Sequence, residues 1–222
     1  MNSSCHGSDR SATGLRYPMQ KIAIIDLFGG DLNSSIAAIE AHATANRTEA
    51  DIFDGIHGRL PKLKDYSAYI VSDGSAEPTA SEPWRVRLHA ALPAYAKTRP
   101  VFGIGLGFQL MAAAYGWPVR PLPHPRSGVF PLTPTPAGWS DPLMRDLENA
   151  TPVVEHRAWA VLDPPAAIRT GACVLAYSNA GDVAAARFTA RSAGTIFQPE
   201  RKTAGAASTV LGHFVKLAME GP

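Results

Sequence analysis

The sequence predicts an α/β protein built around a central, mostly parallel β-sheet, and three observations carry that prediction. Short, continuous apolar runs such as Lys21-Ile22-Ala23-Ile24-Ile25-Asp26-Leu27 recur between helix-like segments. Runs of this kind, with no polar alternation, belong to strands covered on both faces, as in parallel sheets. At Pro100-Val101-Phe102-Gly103-Ile104-Gly105-Leu106-Gly107 an apolar run feeds a G-x-G-x-G cluster, and Leu110, Met111 and Ala114 follow at helical spacing. This reads as strand, sharp turn, helix. From Trp117 to Trp139 the pattern changes to Pro- and Gly-rich pieces, which predicts antiparallel strands and loops in place of another strand–helix repeat.

The elements follow in order. Residues 1–18 are polar and Ser/Gly-rich, a flexible leader ahead of a single domain over 19–222, with Met19 standing as an alternative start. The first strand is 21–27. Phe28-Gly29-Gly30-Asp31-Leu32-Asn33 turns into a helix near 34–43, with Asp31 or Asn33 as the cap. Short strands follow at 50–54 and 68–72, the latter running into Asp73-Gly74-Ser75. A small-residue loop at a strand's carboxyl end leaves backbone N–H groups free to face a ligand. A helix is expected at about 83–96, the fourth strand at 101–104, further strands at 153–156, 173–177, 184–188 and 194–197, and an amphipathic helix over 203–220.

Composition narrows the function. The chain has 222 residues, 45% of them hydrophobic, with 21 basic and 19 acidic residues scattered for a net charge of +2. No basic patch marks a nucleic-acid partner, and no apolar run approaches the roughly 20 residues of a membrane span. No signal-peptide core opens the chain. Cys5 and Cys173 lie far apart without metal-ligand spacing, so a reducing, cytoplasmic location is expected, with no metal and no cofactor.

The corner at Gly105 carries the chemical argument. A strand-to-helix turn of this kind is where α/β enzymes mount a nucleophile beside helix N-terminal N–H groups. Here the position holds Gly105, which has no side chain. Its absence leaves room for a small ligand or cofactor edge, or for water.

The ordered motifs resemble a class I glutamine amidotransferase domain of the type found with GMP synthase. The resemblance rests on Lys21 to Asp26 with Gly29 and Gly30, on Ser72-Asp73-Gly74-Ser75 at the oxyanion loop, on Gly103-Ile104-Gly105-Leu106-Gly107-Phe108-Gln109 against G-x-C-x-G-x-Q, and on Gly194-Thr195-Ile196-Phe197-Gln198-Pro199-Glu200 against G-x-x-F-H-P-E. It implies a flavodoxin-like three-layer sandwich and a Cys-His-Glu glutaminase. The resemblance places the nucleophile at Gly105, the base at Gln198 and the orienting acid at Glu200. Glycine forms no thioester and a carboxamide takes up no proton near neutral pH, so glutaminase activity by the family mechanism is expected to be absent. Asp73, where the family has a Gly-Gly pair, adds negative charge beside oxyanion donors.

The pocket expected from these motifs comprises Gly74, Ser75, Gly105, Leu106, Gln109 and Gln198, with Glu200 as the acid/base candidate or as a structural carboxylate. His156 follows Glu155 on a strand, so the two point to opposite faces. Cys173 reads as a buried small hydrophobe, His124 and Arg126 as a solvated loop or an anion contact, and His213 as an interfacial or surface residue. Three functions stay open: a non-catalytic protein binding a small molecule or a synthetase-like partner, an enzyme rebuilt around Glu200 for an amino-acid-like or amide substrate, and a structural component of a complex.

Overall fold

The computed structural model describes residues 20–29, 34–45, 48–168, 171–201 and 206–220. The expected leader lies outside these residues. Nine strands form one sheet in the order β2-β1-β3-β4-β9-β8-β7-β5-β6. Its first half is the expected parallel core: β1 (Lys21–Leu27), β2 (Glu49–Asp54), β3 (Ala68–Gly74), β4 (Val101–Ile104) and β9 (Ser192–Thr195) all run the same way. Strands β8 (Val183–Thr189), β7 (Cys173–Ser178), β5 (Val119–Pro134) and β6 (Thr151–Val161) extend it antiparallel.

Three expectations shift. The Pro-rich stretch after Trp117 forms one 16-residue strand, β5, whose ladder with β6 slips between Pro121 and Arg126, where prolines withhold N–H donors. Strand β9 ends at Thr195, so Ile196 and Phe197 belong to the following turn, closed by Thr195 Oγ1 donating to Phe197 O at 2.9 Å. The closing helix α5 spans Thr209–Glu220, after a 3-10 turn at Ala206–Ser208; residues 202–205 lie outside the described set.

Alternation along β4 explains the layers. Phe102 points to one face and meets Phe214 of α5 with ring centroids 5.1 Å apart, while Gly103 points to the other and lies against Gly107 and Met111 of α3 (Leu106–Ala114). Helix α1 (Ser34–Thr44) packs with α5, and α2 (Pro83–Ala96) with α3. Burying each large apolar side chain in these two layers contributes about 1.5–3 kcal/mol. Helix α2 opens with Pro83, whose missing N–H has no intrahelical partner at that position anyway.

Parallel pairing also sets where chemistry can occur. Val71 of β3 pairs with Gly103 of β4, which pairs with Gly194 of β9. The carboxyl ends of all three strands therefore open on one rim, and Asp73, Gly105 and Gln198 come together there.

Candidate functional site

Gly105 sits between β4 and α3 with φ +52° and ψ −111°, a backbone that a side chain adopts only under strain. Its N–H donates to Thr195 O at 2.9 Å, and its carbonyl accepts from Gln109 N at 3.0 Å. Helix α3 lies so close to β3 that a Cβ on Gly107 would strike the Val71 carbonyl, and one on Gly194 would strike Gly103 O. The repeated glycines thus let a helix and three strands converge.

The space above Gly105 is not open. The Asp73 carboxyl occupies it, and a Cβ on Gly105 would overlap that group. Asp73 Oδ1 accepts the Leu106 N–H at 2.8 Å, one of the free N–H groups at the start of α3. Gln198 Nε2 donates to Asp73 Oδ2 at 2.5 Å. Burial pushes the Asp73 carboxyl above the usual carboxylate range, against the pull of the Leu106 and Gly74 N–H groups, of Gln198 and, least, of His156. The room expected beside Gly105 is therefore filled by a side chain of the neighbouring strand.

The expected pocket residues separate into two groups. Gly105, Leu106 and Gln198 meet at the Asp73 carboxyl, with Gly74 beside them and Ser75 exposed just beyond. Gln109 turns away: it is buried and its Nε2 donates to Trp159 O at 3.1 Å, tying α3 to β6. Gln198 is held from below by its own N–H donating to Val154 O of β6 at 3.0 Å.

Glu200 is 2% exposed, and neither of its carboxyl oxygens makes a hydrogen bond. Burial raises its pKa to about 7; its own N–H and the Ser35 hydroxyl lie near enough to oppose that rise slightly, and the Asp73 charge adds to it. It borders a cleft of about 490 Å³ shared with α1. Ser35 and His42 of that cleft were not among the expected site residues. The Ser34-Ser35 pair that follows Gly29-Gly30 in the sequence was the signal available, but it reads equally well as an ordinary helix start.

The remaining candidates lie elsewhere. As alternation requires, Glu155 is fully buried while His156 is exposed, its Nδ1 3.0 Å from Ser127 Oγ. Arg126 and His124 stand on β5 and not in a loop; Arg126 Nε donates to Glu155 Oε2 at 2.7 Å and stacks over Phe130, which makes it a structural cation. Arg157 joins the same cluster, bonding both Glu155 and Asp182. Cys173 is only half-buried, and His213 pairs with Asp146 at 3.0 Å. Among the described residues no group of three or more His, Cys, Asp or Glu side chains is placed to hold a metal ion. No described helix is long and apolar enough to cross a membrane.

A parallel sheet continued by antiparallel strands, with a glycine corner at its carboxyl rim, defines an amidotransferase-type α/β domain. Residues 28–217 match the glutamine amidotransferase class-I family, and the chain belongs to that family. Among solved structures it is similar to a protein from Thermoplasma acidophilum described as a putative GMP synthase subunit, with 17% identity over 91% of this chain and 95% of that one and a TM-score of 0.75. It is also similar to a glutamine amidotransferase from Thermotoga maritima (16% identity, 82% and 76% of the two chains, TM-score 0.67). A third, a glutamine amidotransferase from Methylobacillus flagellatus, shares 21% identity over 83% of this chain and 72% of that one, with a TM-score of 0.67. At these identities the likeness concerns the flavodoxin-like fold. No curated protein sequence matches significantly.

Proposed function

We propose that this chain is a class I glutamine amidotransferase-like protein that does not hydrolyse glutamine and works by binding a small molecule or a partner protein. The observation that carries this reading is the Asp73 carboxyl lodged over Gly105. It stands in the space a nucleophile's side chain would need and takes the Leu106 N–H that would otherwise hold an oxyanion. A tetrahedral intermediate needs that N–H free and no negative charge beside it. Gly105 supplies no nucleophile and Gln198 no base, so the loss extends through the whole reaction. Residues 19–222 act as one domain in the cytoplasm on this reading, and the similarity to a protein described as belonging to GMP synthase supports a synthetase-type partner.

Ammonia release from glutamine by the purified full chain tests the proposal. Release at the buffer background is the expected result. Turnover well above background that follows the folded protein through purification overturns it.

A second reading is favoured by one observation, the Glu200 carboxyl held near neutral pH at the edge of a cleft. An acid/base group with a pKa near 7 is suited to proton transfer. The chain would then be an enzyme of specialised biosynthesis acting on an amino-acid-like or amide substrate. Glu200→Ala would abolish such an activity; an activity indifferent to that substitution would remove Glu200 from the chemistry.

A further inference from the structure

The cleft beside Glu200 has features that the corner at Gly105 does not explain. One stripe of α1 lines it, with Ala38 and Ala41 keeping it wide between Ser34 at one end and His42 at the other, and Glu200 and Arg201 close the opposite side. At about 490 Å³ it falls within the usual range of small-molecule sites. Both Glu200 oxygens are buried and neither accepts a well-formed hydrogen bond, the Ser35 hydroxyl and the residue's own N–H lying close enough to compensate only in part, although a buried polar group of this kind ordinarily has a full partner.

We propose that this cleft binds a small aliphatic molecule through a primary ammonium group, with Glu200 as its counter-ion. An ammonium carries three donors on one atom, enough to satisfy both carboxyl oxygens at once, and charge-assisted bonds of this type are about twice as strong as neutral ones. The electrostatics point the same way. Asp73 faces Glu200 from the β3 end and adds negative character, His42 on α1 is kept toward its neutral form by burial, and Arg201 stands exposed at the rim with only a weak pull on Glu200. A cationic nitrogen would place positive charge at the carboxyl itself, where Arg201 acts only from the rim. The two alanines accept a short aliphatic body, and Arg201 marks where a carboxylate on the same ligand would sit.

The inference rests on the reading that the chain works by binding. The two fail separately, because glutamine hydrolysis tests that reading and amine binding tests the cleft. Isothermal titration of the full chain with n-butylammonium, γ-aminobutyrate and n-butyrate is the experiment. Saturable binding is expected for the two amines and none for butyrate; tighter binding of γ-aminobutyrate than of n-butylammonium would place the carboxylate on Arg201. Because Glu200 must ionise, amine affinity at pH 6 should be about tenfold below that at pH 8, with release of close to one proton at pH 6 and almost none at pH 8. Glu200→Gln should weaken binding about tenfold or more and remove the proton release. Ala38→Leu, which fills the cleft without touching the carboxyl, should also weaken it. Absence of saturable amine binding, or equal affinity and proton release in Glu200→Gln, overturns the proposal.

Discussion

Asp73, Gly105 and Gln198 form one contact set, so none of them can be changed alone without cost. Introducing a side chain by Gly105→Cys drives it into the Asp73 carboxyl and onto a positive φ. A loss of about 2–4 kcal/mol in urea unfolding is expected, and Asp73→Gly in the same chain should recover part of it, since residues in contact are not additive. Gly105→Cys with Gln198→His should stay at background in ammonia release because Asp73 still holds the Leu106 N–H. Robust turnover in that double variant would show that Asp73 yields to substrate. Glu200 makes a pH prediction. Its folded pKa, raised from 4.5 to about 7, means that the folded state binds more protons than the unfolded state across that window. Stability should therefore fall as pH rises from about 4.5 to about 7 and then level off, a change on the order of 3 kcal/mol at about 1.36 kcal/mol per pH unit. Glu200→Gln should flatten that slope. At this scale Gly105, Gln198 and Glu200 were legible as replaced or retained motif positions, and Asp73 as an unfavourable charge. That Asp73 fills the space over Gly105 was not legible, because the contact joins the ends of two different strands and depends on a side-chain direction no motif encodes.

Among the elements, the parallel strands and the strand–turn–helix corner were readable from apolar runs and glycine spacing, since burial on both faces leaves a simple pattern. Strand β5 was not. Pro121, Pro123 and Pro125 interrupt it, and its pairing with β6 depends on that strand's own length. Besides the β5–β7 ladder, a buried ionic cluster ties this hairpin to the sheet: Arg157 bonds Glu155 Oε2 at 2.9 Å and also Asp182, and Arg126 reaches the same Glu155 oxygen. Removing Arg157 leaves buried Asp182 without its cation and Glu155 with Arg126 alone, so Arg157→Met should cost about 3–5 kcal/mol in chemical denaturation. A loss below about 1 kcal/mol, the value of an exposed pair, would mean that water reaches the cluster.

For the whole molecule, stability should grade along the sheet. The fully buried stretches of β1, β3 and β4 lie under helices on both faces, whereas β6 is an edge strand and β5 is broken by proline. Native-state hydrogen exchange should accordingly be slowest at Ile22, Ile24, Ile70 and Phe102 and fastest, among strand residues, near the slip between Pro121 and Arg126. Uniform protection across the nine strands would argue against this gradient. Fold class was legible because it follows from patterns many residues long. The cleft beside Glu200 was not, because it is a space between α1 and the turn after β9, set by how a helix packs and not by any one residue.

The overlap between Asp73 and a side chain at position 105 also governs the order in which mutations could be accepted. A cysteine arriving first meets the carboxyl; loss of Asp73 first leaves the Leu106 N–H and the Gln198 amide without their shared acceptor and still provides no nucleophile. Either of these first steps towards a glutaminase thus passes through a less stable and inactive intermediate. The corner acts as an evolutionary ratchet, in which selection on single changes favours keeping the three residues together and turning the protein's remaining surfaces to new uses.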